Sequence, residues 1–172
     1  MSELDEAWEL ELAEAAARAR AGGRGDIAEY LALRSRNDLL RRTATEWLQT
    51  TLTKLAGEAN RAGAAISVEH QDAHRFRAGP ATMVGTLLTL RSGVRSLMLE
   101  SGWPRMPRDG FVRGGGLACA NIKHFGRRAA NAEMMLICSP KGAPQWFILE
   151  RTGTRSLCTE ARIRDHFALL LA

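Results

Sequence analysis

Residues 62–77 read AGAAISVEHQDAHRFR, and the hydrophobic period of the chain changes within them. Before Gly63, apolar residues recur every three to four positions, which is typical of helices. After Gly63, alternation and β-branched residues replace the alanine-rich pattern, which is typical of strands. The helices therefore come mainly before the sheet instead of alternating with its strands, and the sequence predicts an α+β fold.

The chain upstream of this change predicts the N-terminal helices. Residues 1–22 have the pattern of an acidic helix, in which Ser2 and Asp5 resemble a capping box. Residues 26–63 carry a long apolar stripe that Gly63 ends, and their capping patterns, with Asn37 or Asp38 restarting the helix, favour two helices over one continuous rod. We therefore expect two or three N-terminal helices, one of them long.

The chain downstream of the change predicts the sheet and a last helix. Residues 64–152 contain five or six short apolar runs separated by turn signals, which indicates a mainly antiparallel sheet covered by the N-terminal helices. Residues 159–171 form a C-terminal helix that Thr159 caps. At this length folding buries about 70% of the unfolded surface, so we expect residues 1–172 to be a single domain.

Composition bears on the compartment. No apolar run approaches the ~18 residues that a membrane-spanning helix needs, and the N-terminus is acidic where a signal peptide is basic. The cysteines are three in number, far apart and without a paired spacing, which favours buried free thiols in a reducing compartment. We therefore expect a cytoplasmic protein without a membrane partner. The three free thiols would be those of Cys119, Cys138 and Cys158.

Charge is unevenly distributed along the chain. The net charge is +5, but residues 1–17 carry six acids and no base, whereas residues 75–128 carry ten bases and two acids. An anionic partner would be attracted first to residues 75–128. The acidic helix 1–22 is also expected to dock on a neighbouring subunit, which predicts a homo-oligomer. The signal is weak, because a GC-rich genome also produces arginine and alanine in abundance.

The loop at residues 101–116 is the predicted ligand site. Trp103 would supply an apolar wall and three arginines would orient an anion, while three consecutive glycines would either expose amides to it or only form a turn. No Walker pattern is present. We expect the largest pocket beside this loop, with a site consisting of Trp103, Arg105, Arg108, Arg113, Gly114, Gly115 and Gly116.

Two alternatives concern catalysis. His70, Asp72 and His74 share a face if their segment is an extended strand, which is one way to build a metal site. A hydrolase would use Cys119, for which His124 is the nearest candidate base, but their five-residue offset predicts opposite strand faces. No catalytic motif supports either alternative, so we expect no catalytic residues, metal or cofactor.

The function expected from the sequence is therefore a non-catalytic cytoplasmic binding or assembly protein. Its basic loop and sheet surface would receive an anionic small molecule or macromolecule. Nucleic acid is the alternative partner, because Trp103, Phe111 and Phe125 lie among the bases and could stack on nucleobases. It is not favoured, since aromatic residues are few and no RNA- or DNA-binding motif is present.

Overall fold

A computed structural model describes residues 3–172, which divide into two compact units, Met1–Arg42 and Thr43–Ala172. The fold is α+β, as the sequence predicts, and the capping role expected of Ser2 lies outside the described residues. The elements in chain order are α1 (Glu3–Ala21), α2 (Gly25–Arg61), β1 (Ile66–Ala78), β2 (Ala81–Ser92), β3 (Arg95–Trp103), β4 (Ala118–His124), β5 (Ala132–Ile137), β6 (Gln145–Leu149), β7 (Arg155–Leu157) and α3 (Glu160–Leu171).

The first unit pairs α1 with the beginning of α2. The indole Nε1 of Trp8 donates a hydrogen bond to Asp38 Oδ2 at 2.7 Å, and Arg41 lies 2.6 Å from the other carboxylate oxygen. The Arg34 guanidinium stacks 4.6 Å from the centre of the Trp8 ring. Asp38 is buried, so these donors compensate for the loss of water around its charge.

The second helix is continuous from Gly25 to Arg61, so the preference for two helices over residues 26–63 was wrong. Asp38, one of the residues expected to restart a helix, uses its carboxylate to accept hydrogen bonds from Trp8 and Arg41. No proline or glycine lies between residues 26 and 56 to interrupt the helix. The Asp38 side chain thus contacts Trp8 of α1 instead of capping the start of a new helix.

The second unit contains a seven-stranded sheet in which each strand is antiparallel to the next in the sequence. This is more than the five or six strands expected, because β7 lies beyond residues 64–152. In addition, β3 extends to Trp103, so the predicted loop begins later than residue 101. Within residues 3–172, no helix has both the length and the apolar character that a membrane span requires.

One face of the sheet packs on α3 and on the part of α2 within the second unit. Leu48 and Leu52 of α2 and Ile163 of α3 are buried in the same cluster as the alternate residues of the central strands. Trp146 Nε1 donates to the carbonyl of Ala44 at 2.9 Å. Thr159 accepts a hydrogen bond from the Arg162 amide, which confirms the predicted cap of α3.

The other face, here called the open face, is partly covered by the sheet itself. A bulge between Gln71 and His74 shifts the register of β1, and Ala73 there adopts a positive φ of 54°. Beyond the bulge a second apolar cluster joins the end of the β1–β2 hairpin to β4, which is two strands away from β2. The sheet therefore curls over its open face. This cluster contains Phe76, Ala81, Met83 and Cys119.

Candidate functional site

A cavity of about 370 Å³ lies where the hairpin end curls over the open face. The β1–β2 turn and Arg113 form one side, and residues of β4 and β5 form the other. Its polar lining comprises Arg77, Arg113, Asn121, Lys123, Asn131 and Glu133, and its apolar lining includes Ala78, Cys119, Met135 and Leu149. The size and the mixed lining are those of a site for a small organic molecule.

The structure separates the predicted side chains of the 101–116 loop. Trp103 is buried in the main core, with the Arg105 guanidinium stacked 3.7 Å from its ring centre, and Arg105 Nε donates to the Val84 carbonyl. Arg108 is exposed. Of the predicted arginines, Arg113 alone lines the cavity. A larger hollow of about 460 Å³ lies away from this loop, along α2 and His70, so the expectation that the largest pocket lies beside the loop is wrong.

The three glycines have conformational and packing reasons for being glycine. Gly114 and Gly115 adopt positive φ values of 67° and 73° in a turn, which favours glycine at both positions. A Cβ at Gly116 would lie 2.6 Å from the Met135 Cγ, so its absence allows the loop to pack on β5. These glycines therefore position Arg113 beside β5.

Asp109 organises the first half of the same loop. It is buried, accepts hydrogen bonds from the backbone amides of Arg105 and Met106, and pairs with Arg75 at 3.0 Å. Burial opposes its ionisation, but these donors outweigh that effect and keep the pKa of Asp109 below its usual value. This half of the loop is thus fixed by its own contacts.

Beside the cavity lies a polar cluster that the sequence did not predict. Glu100 is buried and is contacted by His74 at 2.9 Å, Lys123 at 2.8 Å and Asn121 at 3.2 Å. Burial again opposes ionisation, and the hydrogen bonds from Lys123, His74 and Asn121 outweigh it, so the pKa of Glu100 is lowered. The four residues come from three strands, which explains why no local motif marks them.

The cavity presents two guanidinium groups without acidic partners. Within residues 3–172, neither Arg77 nor Arg113 forms an ion pair, and Arg77 donates only to the Thr82 hydroxyl at 3.4 Å. A Cβ at Gly79 would lie 3.2 Å from Arg113 Nε, so this guanidinium packs against the β1–β2 turn that precedes β2. Lys123, by contrast, is already paired with Glu100.

The expectation that His70, Asp72 and His74 share a strand face is wrong. His70 lies opposite Leu88 and contacts Gln49 of α2 at 3.1 Å, whereas His74 lies opposite Gly85 and contacts Glu100 on the open face. The bulge between Gln71 and His74 reverses the side on which the following residues point. Within residues 3–172, no three His, Cys, Asp or Glu side chains are grouped to hold a metal.

Cys119 and His124 lie on opposite faces of β4, as their spacing indicates. Cys119 lines the cavity, where burial and the nearby Glu133 carboxylate raise the pKa of its thiol to about 11. His124 faces α3, and its Nε2 lies 3.0 Å from His166 Nδ1. The thiol is therefore protonated at neutral pH, and His124 is not placed to deprotonate it. Burial raises the pKa of Cys158 to about 11 as well, and Cys138 is exposed.

No family model, curated protein or solved structure matches this chain.

Proposed function

We propose that the protein is a non-catalytic, cytoplasmic binding protein that holds a small anionic molecule in the open-face cavity. The observation that carries this proposal is the pair of guanidinium groups, Arg77 and Arg113, in a cavity of small-molecule size. A guanidinium is a planar donor that matches a carboxylate or phosphate group, and it stays charged at any physiological pH.

The rest of the lining supports a ligand with an anionic head and an apolar part. Met135 and Leu149 provide apolar surface, and Asn121 and Asn131 provide neutral donors and acceptors. Glu133 is the acidic residue of the lining, so the ligand's charge would be directed towards the arginines and away from β5. A carboxylic acid with a short hydrocarbon portion, or a comparable phosphate ester, fits this arrangement.

Two features favour binding over catalysis. The Cys119 thiol has a pKa of about 11 and is a poor nucleophile at neutral pH. Glu100 is committed to three hydrogen-bonding partners, so it has little capacity left to accept a proton from a substrate. The cavity therefore offers charge recognition without an activated reactive group.

The test is thermal stabilisation by inorganic phosphate and by a panel of short carboxylates at constant ionic strength. We expect the wild-type melting temperature to rise with the concentration of at least one of them. The double variant Arg77→Ala/Arg113→Ala should bind that anion at least about 100-fold more weakly, because two charge-assisted hydrogen bonds are lost and each contributes about 1.5–3 kcal/mol.

The matched control is Arg24→Ala/Arg108→Ala, which removes the same charge from two exposed residues that do not line the cavity. It should retain wild-type affinity. Equal weakening in both double variants would show nonspecific attraction and overturn the proposal. If no small anion binds but a single-stranded oligonucleotide does, the ligand class is nucleic acid and the small-anion proposal is overturned. Phe111, which is 84% exposed between Arg108 and Arg113, would then be the residue to mutate.

A further inference from the structure

Two turns at one end of the sheet bring exposed apolar side chains together. Val94 in the β2–β3 turn is 91% exposed, and Phe125, which follows β4, is 70% exposed. The Phe125 amide donates to the Ser96 carbonyl at 3.0 Å, so the two turns are adjacent. Large apolar side chains exposed together in this way are typical of interaction surfaces.

Arginines surround these two residues. Arg95 follows Val94, and Arg127 and Arg128 follow Phe125; Arg151 from the β6–β7 turn donates to the Ala129 carbonyl at 3.0 Å. Within residues 3–172, none of these four arginines forms an ion pair, while the neighbouring Glu150 is already bound by Arg162. We call this surface the sheet-end patch, and it consists of Val94, Arg95, Phe125, Arg127, Arg128 and Arg151.

Helix α1 carries a surface of the opposite sign. Glu3, Glu6, Leu10 and Glu14 are all exposed, Leu10 by 63%, and their spacing places them within one face of the helix. No base precedes Arg18 in the chain. We call these four residues the acidic stripe, in which one exposed leucine is flanked by carboxylates.

We propose that the acidic stripe of one copy of the chain docks on the sheet-end patch of a second copy. In both surfaces an apolar centre is surrounded by charge, and the charges have opposite sign, which is the arrangement of a specific protein interface. Each copy carries both surfaces, so two reciprocal contacts would close a twofold dimer.

The two surfaces also have similar lengths. From the β2–β3 turn to the β6–β7 turn the patch spans four strand spacings, or about 19 Å. The stripe extends over twelve residues of helix from Glu3 to Glu14, or about 17 Å. An anionic membrane or a nucleic acid would complement the patch, but it would leave Leu10 exposed among like charges. A second copy accounts for both surfaces.

The experiment is sedimentation velocity of the full chain at micromolar concentration and low salt. We expect a dimer that dissociates as salt is raised, because screening weakens the charge pairs. The patch variant Arg95→Glu/Arg127→Glu and the stripe variant Glu6→Arg/Glu14→Arg should each associate at least tenfold more weakly. An equimolar mixture of the two variants should recover the dimer, because both reciprocal contacts then have opposite charges again.

The control is Phe111→Ser, which removes another exposed aromatic residue from the opposite end of β4 and should leave the dimer intact. Circular dichroism of each variant verifies folding. Val94→Asp is a second test of the patch, because it places a negative charge in the apolar centre and should also weaken the dimer. A wild-type monomer at all concentrations, or a mixture that stays monomeric, would overturn the proposal. So would a monomer whose patch binds anionic vesicles or an oligonucleotide.

Discussion

His124 and His166 form a stacked pair between β4 and α3, with ring centroids 5.3 Å apart. Burial lowers the pKa of both rings, and that of His166 falls to about 4 because His124 and Arg162 add to the effect of burial. Asp165 acts in the opposite direction without reversing the shift. The pair is therefore neutral in the folded protein at pH 7, with one ring donating a hydrogen bond to the other.

This pair predicts a loss of stability in acid. An unfolded histidine binds a proton near pH 6.5, whereas folded His166 does so only near pH 4, so between these values the unfolded state holds more protons. The contribution of His166 to the free energy of unfolding is therefore fully present above about pH 6.5 and is lost as the pH falls towards 4. His166→Phe keeps a stacking ring and removes the titration. Thermal melts at pH 7.5 and 4.5 should show the wild type losing about 2 kcal/mol more than this variant.

A suitable control is His70→Gln, because His70 is exposed and its polar contacts within residues 3–172 are with Gln49 and Asp72. This variant should keep the wild-type pH dependence. Equal pH dependence in wild type and His166→Phe would mean that other groups govern acid stability.

Single residues also show which parts of the candidate site carry a local signal in the sequence. Arg113 was identified from its glycine-rich loop and does line the cavity. Arg77 and the partners of Glu100 were not identified, because they meet through contacts between distant parts of the chain: His74 and Asn121 are 26 and 21 residues from Glu100, and Arg77 lines the same cavity as residues of β4 and β5. Trp103 was assigned to the loop although it ends β3. An apolar residue that precedes a proline is equally compatible with the end of a strand and with the beginning of a loop.

Among the elements, those with complete local signals were predicted and those that depend on distant contacts were not. The capped, amphipathic α3 is confirmed, and so is the switch from helices to strands after Gly63. The continuity of α2 depends on Asp38, whose partner Trp8 is thirty residues away. The bulge in β1 depends on how β2 pairs with it, and the nearly continuous run of polar residues at 69–75 does not reveal it.

The curl of the sheet depends on two glycines that face each other across β2 and β3. A Cβ at Gly85 would overlap the carbonyl oxygen of Ser101, and one at Gly102 would lie 2.6 Å from that of Val84. Gly85→Ala should therefore destabilise the fold by about 3 kcal/mol, because backbone has to move. Urea unfolding followed by circular dichroism measures this.

The comparison variant is Gly57→Ala, in the interior of α2, where a Cβ would meet only the flexible end of Arg61 at 3.6 Å. It should stabilise the protein by about 0.5–1 kcal/mol, since alanine is the better helix former. A Gly85→Ala variant as stable as the wild type would show that the two strands can separate without loss, and the curl would then need another cause.

At the scale of the whole molecule, the two compact units differ in how much apolar surface they bury. In residues 3–42 the buried apolar side chains are Leu12, Ala16 and Ala28, two of them only alanines. Residues 43–172 contain the large cluster between the sheet and the helices that pack on it. Because burial of apolar surface is the main stabilising contribution, the first unit should open at a lower free energy than the second.

Hydrogen exchange followed by mass spectrometry tests this within one helix. Amides of α2 before Thr43 should exchange earlier than those after it, although both belong to the same continuous helix. Trp8→Phe removes the donor to the buried Asp38 carboxylate, so it should accelerate exchange of residues 3–42 about tenfold and leave the sheet unchanged. Uniform protection along α2, or an equal effect of Trp8→Phe on β3, would mean that the chain opens as one cooperative unit. In that outcome, the continuous helix through residue 42 would raise the opening free energy of residues 3–42 to that of residues 43–172, although residues 3–42 bury much less apolar surface.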